Sequence, residues 1–526
     1  MNKLQTSLPF LVILSGIVFS LYLLLLVPDH LYFSGDGGLK ALLAEQIANG
    51  QLRFDLNLQV PEWVQNIWNS GLYPFEPPFS YKIKGLYYIT FPFTFPLATA
   101  PFYAIFGYRG FYIIPLVSTW IIWFNFHRLC LALKLNYIIS AVGLIILIFS
   151  SPLTMYSAMY WEHTLAVCLA FSGIVTLVYH QENYLNKNSL IFAGILIALS
   201  AWFRPEFLAL IAILTTLVTA SYIIKFDFIN LVKYNKTVFL ISLILTILGF
   251  FACNKLIYDH PLGAHAFQVV ENFSLQERLL KSYKFFTILK NELLKYFPVL
   301  YFGLAIVITA IFRANLRLKS EIIQIVLVSG LYMLFVPILI PSDGGKQWGP
   351  RFLLFLIPLI TIIAISNLDK IWKIKRFGIR YIVIGVLTVF LPLGFNINTI
   401  QGLETVYQKD KPENLEVLNF LNQETTKFIA VANQYVGQSF PSTFTDKIYF
   451  LTKEAKDVSQ LGLALHQQGE QKFIYICPVY DACFSRNPLP DRIEVTDNQE
   501  KLIIQLQPIQ ENRRFKIQSA TIIQDK

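Results

Sequence analysis

An aspartate with a glycine on each side follows the first apolar segment of the chain. Asp36 stands in the motif Ser34-Gly35-Asp36-Gly37-Gly38, shortly after the apolar run from Leu8 to Val27. A run of that length can cross a bilayer as a helix, so its end predicts a carboxylate at the membrane–water boundary. The glycines allow the chain to bend sharply there. Asp36 can then act as a general base on a lipid-carried substrate. It is equally consistent with a cap on a following helix, since apolar residues follow at helical spacing, at Leu39, Leu42, Leu43 and Ile47.

Two further groups of ionisable residues stand at the ends of apolar runs. Arg204 follows one run in Phe203-Arg204-Pro205-Glu206. Its planar guanidinium suits an anionic phosphate, and the alternatives are snorkelling or a salt bridge with Glu206. Glu162 and His163 start another run, where they could orient substrate hydroxyls or assist proton transfer. For Glu162, a helix-start carboxylate favoured by the helix dipole is equally consistent.

The segment 341–351 places charged residues, glycines and a tryptophan between two apolar runs. Lys346 and Arg351 can neutralise phosphate. Trp348 can stack on a sugar face, and a place in the interfacial aromatic belt is the alternative. Asp343 is a second acid that could serve as the base if Asp36 does not.

Other polar and aromatic motifs carry weaker signals. His260 and His265 resemble a metal-ligand pair, but the sequence offers no third ligand nearby, and no metal site is predicted. The segment from Tyr73 to Tyr81, followed by Lys82 and Lys84, is aromatic and rich in proline. It suits a cover over a cavity, a saccharide-binding surface or an interfacial anchor.

Composition excludes an ordinary soluble protein. The 526 residues are 55% hydrophobic and 14% charged, and the mean hydropathy is +0.52. These values predict an α-helical polytopic membrane protein of about 11 spans. The first 27 residues are typical of an uncleaved signal anchor. The net charge of +10 fits basic cytoplasmic loops. The sequence lacks the interleaved basic and aromatic residues that are typical of a nucleic-acid groove, so a nucleic-acid partner is not predicted.

The side of the membrane predicted for every later loop depends on whether the segment 90–107 crosses the membrane. This segment is apolar but contains three prolines. If this segment does not cross the membrane, nearly all short basic loops fall on the side of Lys3, as the positive-inside rule requires. We therefore expect it to be re-entrant or to lie in the interface. The long loop 28–109, the segment 341–351 and the C-terminal part then all face outward. Almost every unusual polar motif is predicted on that outer face of a plasma membrane.

From about residue 396 the character of the sequence changes. Apolar β-rich runs near 428–432, 447–451 and 473–477 alternate with helix-prone stretches. This alternation predicts a small α/β domain outside the membrane. We therefore predict a membrane domain over 1–395 and an outer domain over 396–526. Cys477 and Cys483 could form a disulfide there or remain free.

With these residues in place, the chain resembles the GT-C superfamily of polytopic glycosyltransferases. Protein O-mannosyltransferases and lipid A aminoarabinose transferases are familiar members, and the chain looks most like a bacterial branch of the superfamily. The resemblance rests on the acidic motif after the first span, the long outer loop, the segment FPLATAPFYAIFG, and the ordered pattern WEH, FRPE and GPRFLLFLIP. In this family an acid in the first outer loop is the base, and that position falls on Asp36. Many relatives have two adjacent acids there, whereas this chain has one.

The resemblance implies an inverting transfer of a sugar from a polyprenyl-phosphate-linked donor to an acceptor hydroxyl. The implied partners are the lipid-linked donor, a glycan, lipid or protein acceptor, and membrane lipids. No cofactor is implied, and a divalent metal stays open. Arg204, Lys346 and Arg351 would stabilise the charge on the departing lipid phosphate. The competing interpretation is a transporter or flippase, because Ser34–Gly38 and Ser342–Gly345 echo each other as inverted repeats do.

Overall fold

The computed structural model describes residues 3–183, 186–223, 235–269, 274–301, 319–340, 342, 344–373, 377–409, 411–479, 489–497 and 500–525. Most of this part is helical. The α-helices are α1 Lys3–Leu26, α2 Gly35–Ala48, α3 Glu62–Ile67, α4 Thr94–Phe106, α5 Ile113–Ala132, α6 Tyr137–Phe149, α7 His163–Asn183, α8 Lys187–Phe203, α9 Leu208–Ile223, α10 Lys236–Tyr258, α11 His265–Val269, α12 Leu275–Tyr296, α13 Ser320–Leu339, α14 Leu356–Lys373, α15 Phe377–Phe395, α16 Lys411–Gln423, α17 Gln434–Ser439 and α18 Ala455–Gln467.

Strands occupy the first long loop and the C-terminal part of the chain. They are β1 Ser80–Ile83, β2 Leu86–Ile89, β3 Phe428–Val431, β4 Ile448–Leu451, β5 Lys472–Pro478, β6 Arg492–Asp497, β7 Glu500–Glu511 and β8 Phe515–Asp525. Short 3₁₀ turns lie between helices, at Pro152–Ala158, Pro205–Phe207 and Arg351–Leu353.

The chain packs as two compact units. Residues 1–27 and 109–407 form unit 1, and residues 28–108 and 408–526 form unit 2. The long loop after the first helix thus belongs to the same unit as the C-terminal domain. The predicted boundary at residue 396 stays a prediction.

Unit 1 is a helical assembly. Helix α1 packs against α6, α7 packs between α5 and α8, and α8 packs against α10. Helix α14 contacts both α6 and α13. Its long buried face, from Leu356 to Asp369, places it at the centre of the unit. Two of the 3₁₀ turns contain residues of the polar motifs, Glu206 in Pro205–Phe207 and Arg351 in Arg351–Leu353.

Four helical segments in the described part are long and apolar enough to cross a membrane. They are Gln5–Leu26, Thr94–Ala132, Lys236–Tyr258 and Ser320–Leu339, and the bent pair Tyr137–Phe149 and Pro152–Ala158 makes a fifth if it counts as one span. The predicted count of about 11 stays a prediction. The segment 90–107 contains the continuous helix α4, with Pro101 inside it, and whether it crosses the membrane is still a prediction.

Unit 2 contains a six-stranded mixed sheet with the strand order β4-β3-β5-β8-β7-β6. Strand β3 pairs in parallel with β4 and β5, and the other pairs are antiparallel. All four residues of β3 are buried, as expected of a parallel strand covered on both faces. The predicted α/β character and the three predicted strands are confirmed. The antiparallel strands β6, β7 and β8 are an addition that the sequence analysis did not predict.

The cysteines occupy different environments. Cys130, Cys168 and Cys253 of unit 1 are free thiols. Cys477 at the end of β5 is disulfide-bonded, which is the oxidised alternative considered for this residue. Cys483, the partner considered for it, lies outside the described residues.

Candidate functional site

The acidic motif forms the first turn of α2 in unit 2. The helix begins at Gly35, and Ser34 is its N-cap residue, with extended backbone and no side-chain capping hydrogen bond. Asp36 therefore lies in the first turn rather than at the cap. It is half-buried, and the dipole at the helix N-terminus favours its negative charge. The helix predicted after Asp36 is confirmed, with Leu39 and Leu43 fully buried.

The glycines beside Asp36 permit a close helix contact. Helix α17 packs against α2. A Cβ at Gly38 would lie 1.8 Å from the backbone carbonyl oxygen of Gln438, and one at Gly35 would lie 2.2 Å from the Oε1 atom of the same residue. Both glycines belong to α2, so the freedom to bend that they offer is not used for a bend at this position. The residues are small because a segment of the C-terminal domain lies directly against them.

Two residues near Asp36 were missed by the sequence analysis. Lys40 follows one helical turn later and is 1% exposed. Its Nζ lies 4.4 Å from the centroid of the Phe91 ring, which is a cation–π distance. The pKa of the Tyr435 phenol in α17 is raised, mainly by burial and to a smaller extent by the negative charge of Asp36. The i, i+4 spacing of Asp36 and Lys40 was a signal that could have identified the lysine.

A third ionisable residue of α2 lies further along the helix. Burial raises the pKa of Glu45 from 4.5 to about 7. Neutral and ionised forms are therefore both populated near neutral pH. Three ionisable residues thus follow one another along α2, each in a different environment.

Unit 1 contains a buried group of three ionised side chains. The NH1 group of Arg204 donates to Glu162 Oε1 at 2.8 Å, and its Nε donates to Glu206 Oε1 at 2.8 Å. All three residues are buried. Arg204 ends α8, Glu206 lies in the next 3₁₀ turn, and Glu162 immediately precedes α7. The salt bridge to Glu206 was one of the predicted alternatives, whereas the second carboxylate, from Glu162, was not anticipated.

The guanidinium groups of Arg204 and Arg351 both lie against the ring of Phe352. The Cζ of Arg351 is 5.0 Å from the ring centroid of Phe352 and 5.2 Å from that of Trp161. The Cζ of Arg204 is 5.3 Å from the Phe352 ring. The structure therefore brings both predicted arginines to one phenylalanine. Tyr332 also lies here, within electrostatic reach of Arg204.

The other predicted residues of unit 1 lie in distinct environments. His163 is buried, with its ring centroid 5.2 Å from that of Trp161 and 5.8 Å from that of Tyr156. Trp348 is also buried, and its carbonyl accepts a hydrogen bond of 2.8 Å from the Tyr156 hydroxyl. Its indole packs edge-on against Tyr296. Lys346 is exposed. Asp343 lies outside the described residues.

The two histidines considered for a metal do not act as a pair. Nδ1 of His260 accepts a hydrogen bond from the backbone N–H of Leu262, while Nε2 of His265 lies 3.0 Å from the carbonyl oxygen of Leu339. Burial lowers the pKa of His265 to about 4, and the nearby charge of Arg204 acts in the same direction. Among the described residues, no group of three or more His, Cys, Asp and Glu could hold a metal ion.

The two units thus offer different chemistry. Unit 2 places a carboxylate on the first turn of a helix, with a buried lysine one turn later. Unit 1 provides a buried carboxylate–guanidinium network and a second guanidinium against aromatic rings. Carboxylates can accept protons, and guanidinium groups can bind phosphate through two parallel hydrogen bonds.

Comparison with known proteins identifies the fold. No family model and no curated protein matches the chain. Among solved structures it is similar to ArnT from Cupriavidus metallidurans in the apo state, at 10% identity and a TM-score of 0.56, covering 96% of this chain and 97% of ArnT. The same protein bound to undecaprenyl phosphate gives a TM-score of 0.55.

A second solved structure leads to the same fold. The archaeal oligosaccharyltransferase AglB from Archaeoglobus fulgidus, in complex with an inhibitory peptide and a dolichol-phosphate, is 10% identical with a TM-score of 0.55. That match covers 90% of this chain and 70% of AglB. ArnT and AglB are both GT-C superfamily proteins. The predicted resemblance to this superfamily is therefore confirmed at the level of the fold.

Proposed function

We propose that this protein transfers a sugar from a polyprenyl-phosphate-linked donor to an acceptor hydroxyl at the outer face of the membrane. The observation that carries the proposal is Asp36, a half-buried carboxylate in the first turn of the helix that follows the first apolar helix. The fold supports it, because 96% of the chain aligns with a protein solved bound to undecaprenyl phosphate. A fold alone does not define an activity, so the proposal depends on the residues of the site.

The proposed reaction is a single displacement with inversion at the anomeric carbon. Asp36 takes the proton of the acceptor hydroxyl as the hydroxyl oxygen attacks that carbon. The bond between the anomeric carbon and the phosphate oxygen breaks, and its electron pair leaves on the lipid phosphate. Cations positioned where this charge develops lower the barrier. No step requires a metal ion.

The three cations predicted from the sequence, Arg204, Lys346 and Arg351, have different proposed roles. Arg351 and Lys346 stabilise the lipid phosphate. Arg204 donates to two carboxylates, so we propose that it positions Glu162 and Glu206, which with His163 orient sugar hydroxyls. Trp348 supports this surface from within the protein, because its indole is buried.

The transporter alternative has less support. The echo between Ser34–Gly38 and Ser342–Gly345 suggested paired broken helices of an inverted repeat. The first copy starts α2, whereas Gly344 and Gly345 of the second adopt positive φ angles of 139° and 86° outside any helix. The glycine pairs of the two segments therefore differ in backbone conformation.

Turnover of lipid-linked sugars tests the proposal. Purified protein in nanodiscs is incubated with a panel of radiolabelled polyprenyl-phosphate sugars, and loss of lipid-linked label to acceptor or water is measured. We expect Asp36→Asn to reduce turnover at least a hundredfold, the lower range of general-base contributions. Asp29→Asn is the matched control, because Asp29 is an exposed aspartate in the same connection between α1 and α2, and it should retain wild-type turnover.

Two other outcomes would change the assignment. Turnover that survives in Asp36→Asn would keep the enzyme class and move the base, with Glu162 and Asp343 the next acids to substitute. Failure of the folded wild-type protein to bind or consume any lipid-linked sugar would reject the glycosyltransferase and favour the transporter.

A further inference from the structure

A cavity in unit 2 lies apart from the acidic motif. It has a volume of about 290 Å³ and is formed by the segment 68–87 together with one residue of β4. Its size is close to the lower end of ligand pockets, about 300 Å³. Aromatic and aliphatic side chains make most of its wall, including Trp68, Tyr73, Phe75, Tyr81, Tyr87 and Leu451.

The aromatic wall is held in place by contacts within the unit. The rings of Tyr73 and Tyr87 stack with their centroids 3.6 Å apart and an angle of 6° between their planes. Trp68 packs edge-on against Tyr73, and its indole N–H donates to the carbonyl oxygen of Tyr449 at 3.0 Å. A rigid aromatic surface binds a ring-shaped ligand without losing side-chain entropy of its own.

Two hydroxyl groups of the cavity-lining residues lack protein partners. Tyr73 is 5% exposed and Ser80 is 2% exposed, and both line the cavity. Within the described part of the chain, neither Tyr73 Oη nor Ser80 Oγ has a hydrogen-bond partner. Burying a hydroxyl without a partner costs free energy. Both oxygens are shielded from solvent, so a ligand with its own hydroxyl groups would satisfy them once the cavity wall shifts to admit it.

The residues that line the cavity include one of each charge, Glu76 and Lys82. Lys82 donates to Asn69 Oδ1 at 2.8 Å, and Glu76 forms an ion pair with Lys453 of the C-terminal domain. The cavity therefore presents little net charge to a ligand. This arrangement favours a neutral polyhydroxylated ligand over a phosphate.

We propose that this cavity binds a neutral pyranose ring of the acceptor, a role that rests on the proposed function. An apolar sugar face would lie on the tyrosine and tryptophan rings, and the ring hydroxyls would pair with Tyr73 and Ser80. The site would thus hold an acceptor glycan through a sugar residue other than the one that reacts. The sequence analysis left three functions open for the segment 73–81, a cover, a saccharide-binding surface and an interfacial anchor. The proposal selects the saccharide-binding surface.

Binding of soluble sugars tests the cavity directly. Full-length protein in nanodiscs is titrated with a panel of neutral mono- and disaccharides, and affinity is measured by saturation-transfer NMR and calorimetry. We expect Tyr73→Phe and Ser80→Ala each to weaken binding of the best saccharide about tenfold, which corresponds to 1.4 kcal/mol. Both variants should unfold at the wild-type temperature or above it, since each removes a hydroxyl that the protein leaves unsatisfied.

Matched variants separate the outcomes. Tyr475→Phe removes a buried hydroxyl of the same unit that does not line the cavity, and it should bind like the wild type. If the wild type binds saccharides but consumes no donor, the proposed function fails and the cavity proposal keeps only its binding site. If no neutral saccharide binds, or if both hydroxyl variants bind like the wild type, the cavity proposal is overturned even where donor turnover is intact.

Discussion

A Cβ atom on Gly38 would stand 1.8 Å from the backbone carbonyl oxygen of Gln438. The C-terminal domain therefore lies directly against the helix turn that carries Asp36. Because the obstructing atom belongs to the backbone of α17, no side-chain rotation can make room for a methyl group. The position of Asp36 thus depends on packing against a segment about 400 residues later in the chain.

Substitution of Gly38 should reveal this dependence. Gly38→Ala forces α2 and α17 apart, and we expect it to destabilise the protein by about 1–3 kcal/mol, the usual cost of overpacking. Donor turnover should fall with it, because Asp36 moves with the first turn of α2. Thermal unfolding in detergent and the turnover assay measure the two effects.

Neighbouring glycines supply graded controls for this substitution. Gly37→Ala should cost less, because its Cβ would meet only the side chain of Tyr32, at 3.2 Å. Gly35→Ala should also cost less than Gly38→Ala, since its nearest contact is the amide oxygen at the flexible end of Gln438. Equal losses in all three variants would contradict the close backbone contact.

The buried network of unit 1 should respond unequally to loss of its members. Arg204→Met leaves two buried carboxylates without a counter-charge, and breaking a buried ion pair costs about 3–5 kcal/mol. Glu162→Gln should cost less, because Arg204 keeps its bond to Glu206. Chemical unfolding in detergent measures both.

An exposed ion pair of the same unit is the control for the network. Lys255 and Asp259 are paired at 3.1 Å, and both are more than half exposed. Lys255→Met should leave stability unchanged, because exposed pairs contribute little. If Arg204→Met is equally harmless, the ion pairs do not hold Glu162 and Glu206 in place, and the positioning role proposed for Arg204 is wrong.

Glu45 should make the stability of the protein depend on pH. Burial raises its folded-state pKa to about 7, above the value of 4.5 that applies when it is exposed. Unfolding therefore releases a proton between these values, and stability falls as the pH rises from about 4.5 to 7. Above pH 7 this loss is complete, and it lowers the free energy of unfolding by about 3 kcal/mol at most, since one pKa unit corresponds to 1.36 kcal/mol.

Replacing this carboxyl should remove that pH dependence. Glu45→Gln has no proton to release, so its melting temperature should exceed that of the wild type above pH 7 and approach it near pH 4.5. Glu62→Gln replaces an exposed glutamate of the same unit and should follow the wild-type profile. A wild-type slope retained in Glu45→Gln would show that another group is responsible.

Local patterns predicted many elements correctly. The helical spacing after Asp36 predicted α2, and the apolar β-rich runs predicted β3, β4 and β5 close to their observed bounds. Such features depend on near neighbours in sequence. The long antiparallel strands β6, β7 and β8 were missed although exposed polar and buried apolar residues alternate along β7, and this alternation is a strand signal that the sequence analysis did not use.

Residue types and spacing by themselves determined that the protein carries apolar helices, has a C-terminal α/β part and places an acid after its first helix. Hydrophobicity and periodicity are properties of a local stretch, so a sequence shows them directly. Only the tertiary structure decided that Gly38 meets Gln438, that Arg204 joins Glu162, and that Tyr73 and Ser80 share a cavity. These contacts join residues from separate segments, and packing rather than local preference determines which of them meet.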